Sequence, residues 1–322
     1  MPSHALQHPE VIKRIAGAPQ WPSYTGVSQL VGTTADGRCT VYVDPSFGPP
    51  GNPGAVNAQD LLADADRVMK FNDATFGVVG GHVDVIVFAL GGMTDGTGGA
   101  DHMGCSFTDG AQIEVCASFG NSLRCSALFE AELSECSMNG QLCGLSTGEA
   151  LSRWCAMVVS NNALSDFASG PTWFADGMPN FVDSVDSTDT NYDSIGCGMA
   201  FLSWIMAGFN GKFRLSEVAQ AMVAAGDTGT LSQLYGAPAL AWADFQAAIA
   251  AFPGSVTSDD PFNALVPVPG PTPPPPPPPT PSPGTSTTQL SFLILARCMS
   301  AIARGDDEPT LKAKLQSILD AN

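Results

Sequence analysis

Apolar and polar positions follow two different periods along this chain. β-Branched residues that alternate with polar ones, or that run together, predict strands at 38–43, 82–90 and 112–117. Apolar residues at three- and four-residue spacing predict helices at 57–71, 121–138, 146–160, 197–206, 215–225 and 239–252. Strands that precede a run of helices are typical of an α+β domain, so we expect a small N-terminal β-sheet followed by a helical half.

The strand pattern distinguishes a central strand from an edge strand. Residues 82–90 (HVDVIVFAL) are almost continuously apolar, as expected of a central strand that is buried on both faces. Residues 112–117 (QIEVCA) alternate, and we expect them to form an edge strand. The glycine-rich run 91–100 is predicted to be a flexible rim, and it lacks the glycine spacing and the lysine of a phosphate-binding loop.

Composition divides the chain into four segments. Residues 1–35 are predicted to be an N-terminal arm, and residues 36–252 are predicted to form the α+β domain. Residues 253–289 contain TPPPPPPPTPSPG, which predicts a stiff, extended linker. Residues 290–322 are predicted to form a helical hairpin that is too small for a sturdy core of its own. This hairpin could dock on a partner protein, self-associate or fold back on the main domain.

The helix predicted at 121–138 (NSLRCSALFEAELSECSM) places three carboxyl groups inside an apolar pattern. Successive helical residues turn by about 100°, so Glu132 and Glu135 share one face while Glu130 points elsewhere. The apolar residues at helical spacing predict that this helix packs inside the domain. We therefore expect Glu132 and Glu135 to line a cleft.

Charge and hydropathy narrow the set of partners. The 13 Lys and Arg residues and the 31 Asp and Glu residues give a formal net charge of −18. Such a chain repels the phosphate backbone, so nucleic acid is not an expected partner. No apolar run reaches the roughly 18 residues of a membrane span, and the first residues do not resemble a secretion signal. We therefore expect no membrane span, and a cytoplasmic location unless a leader precedes this sequence.

The nine cysteines include no C-x-x-C pair, so the spacing of a zinc ribbon is absent. Cys125, Cys136 and Cys155 lie in helical apolar patterns and are predicted to be buried free thiols. The remaining cysteines could pair with one another, and the sequence leaves their state open.

Residues 131–135 read AELSE, and WFADGMPNF at 173–181 and FLSW at 201–204 follow in that order along the chain. Together these motifs resemble those of the gluzincin metallopeptidases, most closely the basic secretory protein peptidases of plants and bacteria. In that family the active-site helix carries H-E-x-x-H, in which the two His bind zinc and the Glu acts on the metal-bound water. The resemblance covers residues 82–252 and implies a gluzincin fold similar to that of thermolysin.

The resemblance implies a role for each matching residue. Glu132 stands at the position of the general base, whereas Ala131 and Glu135 replace the two His ligands. The family's third zinc ligand is the Glu of an E-G-x-A-D motif, and Asp176 stands at that position here. Because a catalytic zinc site needs imidazole ligands, we expect no thermolysin-like zinc site at these positions, and no other cofactor is expected.

The carboxyl groups allow three other interpretations. Glu132, Glu135 and Asp176 could hold a hard cation such as Ca²⁺ through oxygen ligands. They could share protons in a half-buried cleft, an arrangement that suits acid–base catalysis, or they could be tied to backbone N–H groups and hydroxyls. His102, beside Asp101 in a predicted loop, could reach the helix as a ligand or proton donor, or could lie on the surface.

Three functions follow from these interpretations. The leading hypothesis is a metallopeptidase-like protein that has lost zinc-dependent proteolysis and binds a peptide or protein in its acidic cleft. The second is a hydrolase that uses Glu132 as general base, with Glu135, Asp176 and His102 around a carboxylate metal site or around no metal. The third is an assembly or scaffold protein that docks through residues 290–322.

Overall fold

The computed structural model describes residues 19–89, 99–138, 140–208, 213–251 and 255–265, which all belong to one compact unit, Met1–Pro271. The predicted hairpin 290–322, the first half of the arm, and most of the linker and of the glycine-rich rim lie outside the described residues. The described residues form a sheet followed by helices, which confirms the predicted α+β class. No helix among them combines the length and the apolarity needed to cross a membrane.

A mixed five-stranded sheet occupies the N-terminal half of the domain. Its strands are β1 (Gln29–Thr33), β2 (Cys39–Val43), β3 (Val83–Phe88), β4 (Ala100–Met103) and β5 (Ala111–Cys116). The spatial order is β1-β2-β3-β5-β4, in which β2, β3 and β5 run parallel while β1 and β4 are antiparallel at the two edges. The central position of β3 confirms the prediction for residues 82–90.

The prediction that residues 112–117 form an edge strand is wrong. β5 lies between β3 and β4, and its residues Ile113 and Val115 are fully buried. The polar position of the alternating pattern, Glu114, is buried as well, because the backbone N–H groups of Ser23 and Tyr24 donate to its carboxylate at 2.9 and 3.0 Å. The edge strand on this side of the sheet is β4, whose sequence ADHM carries no strand pattern.

The described part of the predicted arm packs against the sheet. β1 pairs with β2, and the chain before it covers one face of the sheet. The ring of Trp21 packs edge-on against Tyr42 at 5.4 Å, and the ring of Tyr24 packs edge-on against Phe88 at 5.7 Å. This segment therefore forms part of the domain, as a cover over one side of the sheet.

The described helices are α1 (Pro53–Phe76), α2 (Ser122–Ser137), α3 (Ser146–Ser160), α4 (Gly170–Ala175), α5 (Tyr192–Gly208), α6 (Leu215–Ala225) and α7 (Ala241–Ala250). α1 and α2 share one apolar core with the sheet, and α3, α5, α6 and α7 share a second. α2 packs against α1, β5 and α3, so it lies between the two cores. Asn57 fixes the start of α2, because its side chain donates to Ser122 Oγ at 3.2 Å and accepts from the Ser118 N–H at 2.9 Å.

Glu130 lies on a different face of α2 from Glu132 and Glu135, as helical geometry predicts. Its side chain is fully buried, and neither carboxyl oxygen has a hydrogen-bond partner among the described residues. Burial raises the pKa of Glu130 well above its ordinary value, although the positive charge of Arg67 opposes this shift. Glu130 is therefore protonated at neutral pH, because an unpaired carboxylate is very costly inside a core.

We expect Glu130 to make the stability of the domain depend on pH. Its pKa is higher in the folded state than the ordinary value of 4.5, so its contribution is fully present below that pH and is lost as the pH rises toward the folded-state pKa. In the wild type, ionisation of Glu130 should make the unfolding free energy fall by up to about 1.4 kcal/mol for each unit of rising pH. Glu130→Gln should remove this part of the fall, because the amide does not ionise. Urea unfolding at several pH values between about 5 and about 7 measures this slope. An unchanged slope, equal to that of the control Glu217→Gln on the exposed face of α6, would contradict the expectation.

Candidate functional site

A cavity of about 520 Å³ lies where α2 and α3 meet β4. Both acids that were predicted to share a face of α2, Glu132 and Glu135, line this cavity. The lining side chains that can carry charge or bind a metal are Asp101, His102, Cys105, Glu132, Glu135, Cys143, Glu149, Arg153, Asp189 and Asp259. The cavity therefore gathers groups from β4, α2, α3 and the segments around α4 and α5.

Glu135 makes the central contacts of the site. One carboxyl oxygen lies 3.3 Å from Nε2 of His102, and the other accepts a hydrogen bond from Ser152 Oγ at 3.2 Å. Glu149 also forms a hydrogen bond with Glu135. These three partners come from β4 and from successive turns of α3, so Glu135 connects α2 to both elements.

His102 approaches α2, which is one of the two positions that the sequence left open, and it does so from a strand and not from a loop. It belongs to β4, where its side chain points toward α2 and only 9% of it is exposed. Nδ1 of its ring donates to the Gly104 carbonyl at 3.0 Å, which directs Nε2 toward Glu135. Burial lowers the pKa of His102, but hydrogen bonds with Cys136 and Glu135 outweigh it and raise the pKa to about 11. At neutral pH the two side chains therefore form a shielded ion pair.

Glu149 and Arg153 belong to the site, although the sequence analysis did not select them. Nε of Arg153 donates to the Glu149 carboxyl at 2.6 Å, and its guanidinium also donates to the Phe167 carbonyl at 2.8 Å. The sequence shows only that an acid and a base stand four residues apart on a predicted helix. Such pairs are usually ordinary surface ion pairs, so this spacing does not mark a functional site. Here the pair faces the cavity because α3 packs against α2.

The three carboxyl groups on the cavity wall differ in their pKa values. Burial raises the pKa of Glu132 well above its ordinary value, and the negative charge of Glu135 adds to this shift. Burial also raises the pKa of Glu149, to about 8. Burial acts in the same direction on Glu135, but hydrogen bonds, the first of them from His102, outweigh it and lower the pKa. Glu135 is therefore ionised at neutral pH, whereas Glu132 and Glu149 hold protons.

Asp176 does not join this cluster. α4 ends at Ala175, the chain turns through a left-handed Gly177 (φ 87°), and Asp176 is exposed and does not line the cavity. The acid that reaches the cavity from this side is Asp259, which accepts the N–H groups of Ser169 and Gly170 at 2.9 and 2.6 Å. Asp259 lies in the segment that composition assigned to the linker, where no pattern marks it as a site residue.

The described cysteines fall into two groups. Cys125, Cys136 and Cys155 are buried free thiols, as predicted, and Cys39, Cys116 and Cys197 are buried as well. Cys105 and Cys143 form a disulfide on the cavity wall. Sγ of Cys143 lies 3.9 Å from Nε2 of His102. The H-x-x-C spacing of residues 102–105 was the sole hint of this group in the sequence.

No protein-family model matches this chain, and a search of curated proteins finds no match.

We expect Glu135→Gln to lower the pKa of Glu149 from about 8 toward its ordinary value of 4.5. The substitution removes a neighbouring negative charge, and this favours ionisation of Glu149. Carboxyl ¹³C NMR titrations of the wild type and the variant measure the shift. In the wild type, the stability that Glu149 contributes is fully present below about pH 4.5 and is lost as the pH rises through about 8. A Glu149 resonance that still titrates near pH 8 in Glu135→Gln would count against the coupling of the two carboxyl groups.

Proposed function

We propose that this domain is a metallopeptidase-like protein that lacks zinc-dependent proteolysis and binds an extended, basic peptide in its acidic cavity. The observation that carries the proposal is that Glu132, Glu135 and Glu149 line one cavity beside the edge strand β4. This arrangement offers a peptide both a backbone partner and a pocket for a positive side chain.

The loss of zinc-dependent proteolysis is supported by the positions at which the family binds its metal. Ala131 lines the cavity at the position of the first His ligand and offers no donor atom. Asp176, at the position of the third ligand, is exposed and does not line the cavity. A thermolysin-type zinc ion would therefore keep at most Glu135 of its three ligands, so Glu132 has no such metal-bound water on which to act.

Peptide binding is supported by the exposed edge of β4. This strand pairs with β5 on one side, and no described strand lies on its other side. An extended peptide can add to such an edge through main-chain hydrogen bonds. The N–H of His102 donates to the Asp101 carboxylate at 2.7 Å, and a peptide carbonyl can replace this acceptor without leaving the N–H unpaired.

The preference for a basic peptide is supported by the balance of charge in the cavity. Three acids line it in addition to those on α2 and α3: Asp101, Asp189 and Asp259. The two cationic side chains, His102 and Arg153, are already paired with Glu135 and Glu149. A Lys or Arg side chain of a ligand therefore meets an excess of carboxyl groups, and its charge favours loss of the proton from Glu149.

We expect affinity for such a peptide to rise with pH as Glu149 loses its proton. Fluorescein-labelled heptapeptides with Lys, Arg or Glu at the central position provide the probes, and fluorescence anisotropy measures the affinity. The Lys and Arg peptides should bind about 10-fold more tightly above pH 8 than at pH 6, a change of about 1.4 kcal/mol. Glu149→Gln should remove this rise because the amide cannot ionise.

The exposed Asp227 supplies a matched control, since Asp227→Asn removes one negative charge outside the cavity. This variant should bind the peptides as the wild type does. Equal binding of Lys and Glu peptides, or a rise with pH that persists in Glu149→Gln, would overturn the proposal.

A hydrolase is a second candidate function, because the pKa of Glu132 is raised while that of the neighbouring Glu135 is lowered. Glu135 is poised to accept a proton, whereas Glu132 is poised to donate one, and such a pair suits general acid–base catalysis. In this reading Glu132 is the acid and not the base that the resemblance implied. Turnover of a peptide and ester panel that is abolished in a folded Glu132→Gln variant would support this candidate. An inert wild type would exclude it for the substrates of that panel.

A further inference from the structure

A mixed set of metal-binding groups lies on the wall of the cavity formed by β4 and the end of α2. Ligand atoms of His102, Cys105 and Cys143 all lie within 4.8 Å of one another. Glu135 borders the same group, with a carboxyl oxygen 3.3 Å from Nε2 of His102. Glu135 is the only residue of this group that occupies a position of the H-E-x-x-H motif. The group therefore differs from the zinc site that the family resemblance implies.

Two distances from Nε2 of His102 can be compared with those of a four-coordinate zinc ion. Bonds of about 2.0 Å to nitrogen, about 2.1 Å to oxygen and about 2.3 Å to sulfur place tetrahedral N and O ligands about 3.4 Å apart, and N and S ligands about 3.5 Å apart. The corresponding separations from Nε2 of His102 are 3.3 Å to Glu135 and 3.9 Å to Sγ of Cys143. Both separations are therefore close to those that a zinc ion requires, and the bonded sulfur atoms of Cys105 and Cys143 have to move apart on reduction before an ion fits between the ligands.

The ring of His102 is oriented as a metal ligand requires. Nδ1 donates to the Gly104 carbonyl at 3.0 Å, so Nε2 is the nitrogen that faces Cys143 and Glu135. A hydrogen bond from the far nitrogen to a backbone carbonyl is the usual way in which proteins fix a metal-binding histidine. Two thiolates, one imidazole and one carboxylate are ligands that select zinc over Ca²⁺ or Mg²⁺.

We propose that His102, Cys105, Cys143 and Glu135 bind one Zn²⁺ ion when the two cysteines are reduced, and release it when they form their disulfide. The two states exclude each other because a sulfur in the disulfide no longer offers a thiolate to the metal. Four protein ligands leave no open position, so the ion has a structural or regulatory role and does not activate water. The proposal does not depend on peptide binding.

A small thiol can reduce the Cys105–Cys143 disulfide and so allow zinc to bind. Two thiol molecules transfer two electrons and two protons to the Cys105–Cys143 bond, which opens to two thiols while the reductant becomes a disulfide. Zn²⁺ then displaces the two thiol protons and the proton on Nε2 of His102. A disulfide oxidant reverses the sequence, and the ion leaves as the Cys105–Cys143 bond forms.

The disulfide is placed where a small thiol can reach it. Cys105 and Cys143 are partly exposed and line the cavity, whereas the other six cysteines among the described residues are all buried. Access of a thiolate to a sulfur atom is a condition for rapid exchange. These two cysteines are therefore the pair in the described part of the chain that can change state without unfolding.

The test uses the full chain, Zn²⁺ or Co²⁺ alone as the probe, and a phosphine reductant, which does not compete for the metal as a thiol would. After reduction and gel filtration, elemental analysis should find one zinc ion per chain, and the oxidised protein should retain none. With Co²⁺, the reduced wild type should show a thiolate-to-cobalt charge-transfer band, which reports sulfur ligation without any substitution. Addition of an oxidised dithiol should remove the band and release the metal.

Variants assign the ligands. Cys143→Ser and His102→Gln should each weaken zinc binding, measured against a chromophoric chelator, by more than the roughly 10- to 100-fold that loss of an outer-shell partner costs. Cys155→Ala, which alters a buried cysteine that does not line the cavity, should bind zinc as the wild type does. The proposal is overturned if the reduced wild type binds no zinc, if its cobalt complex lacks the sulfur band, or if Cys143→Ser binds as tightly as Cys155→Ala. Binding of equal strength before and after reduction would also overturn it.

Discussion

The contact of 3.3 Å between His102 and Glu135 is the interaction on which the cavity depends. It joins β4, a strand of four residues at the edge of the sheet, to α2, which lies between the two cores. Only 9% and 11% of these two side chains are exposed, so either charge would be costly without the other. The turn that carries Gly104 and Cys105 follows the end of β4, and the pairing therefore also fixes the wall of the cavity.

The three glutamates of α2 differ in protonation state because their surroundings differ. Glu130 is enclosed by the core without a hydrogen-bond partner and holds its proton. Glu135 is almost as buried, but partners on three sides stabilise its charge. Burial and the nearby carboxylate of Glu135 both raise the pKa of Glu132, which remains protonated, so two acids one turn apart take opposite roles. α2 thus provides a graded set of proton-binding groups.

Sequence alone was sufficient for the features that depend on local periodicity. The α+β class, the central strand β3 and the shared face of Glu132 and Glu135 all follow from the spacing of apolar residues. β4 could not be predicted, because ADHM becomes a strand only by pairing with β5. Glu149, Cys143 and Asp259 reach the cavity from segments that only the tertiary fold brings together. For the same reason a motif position alone was not enough to place Asp176, which is exposed beyond the end of a short helix.

The hydrogen bonds from Ser23 and Tyr24 to Glu114 span about 90 residues of chain, and this separation has a consequence for the order of folding. During synthesis, the segment that carries Trp21 and Tyr24 emerges long before the strand to which it binds. Its rings pack on β2 and β3, but its hydrogen bonds to Glu114 can form only after β5 is in place, so the docking of this segment is completed late. The same segment is then the natural place for the domain to open, and its release would uncover the apolar face that includes Phe88.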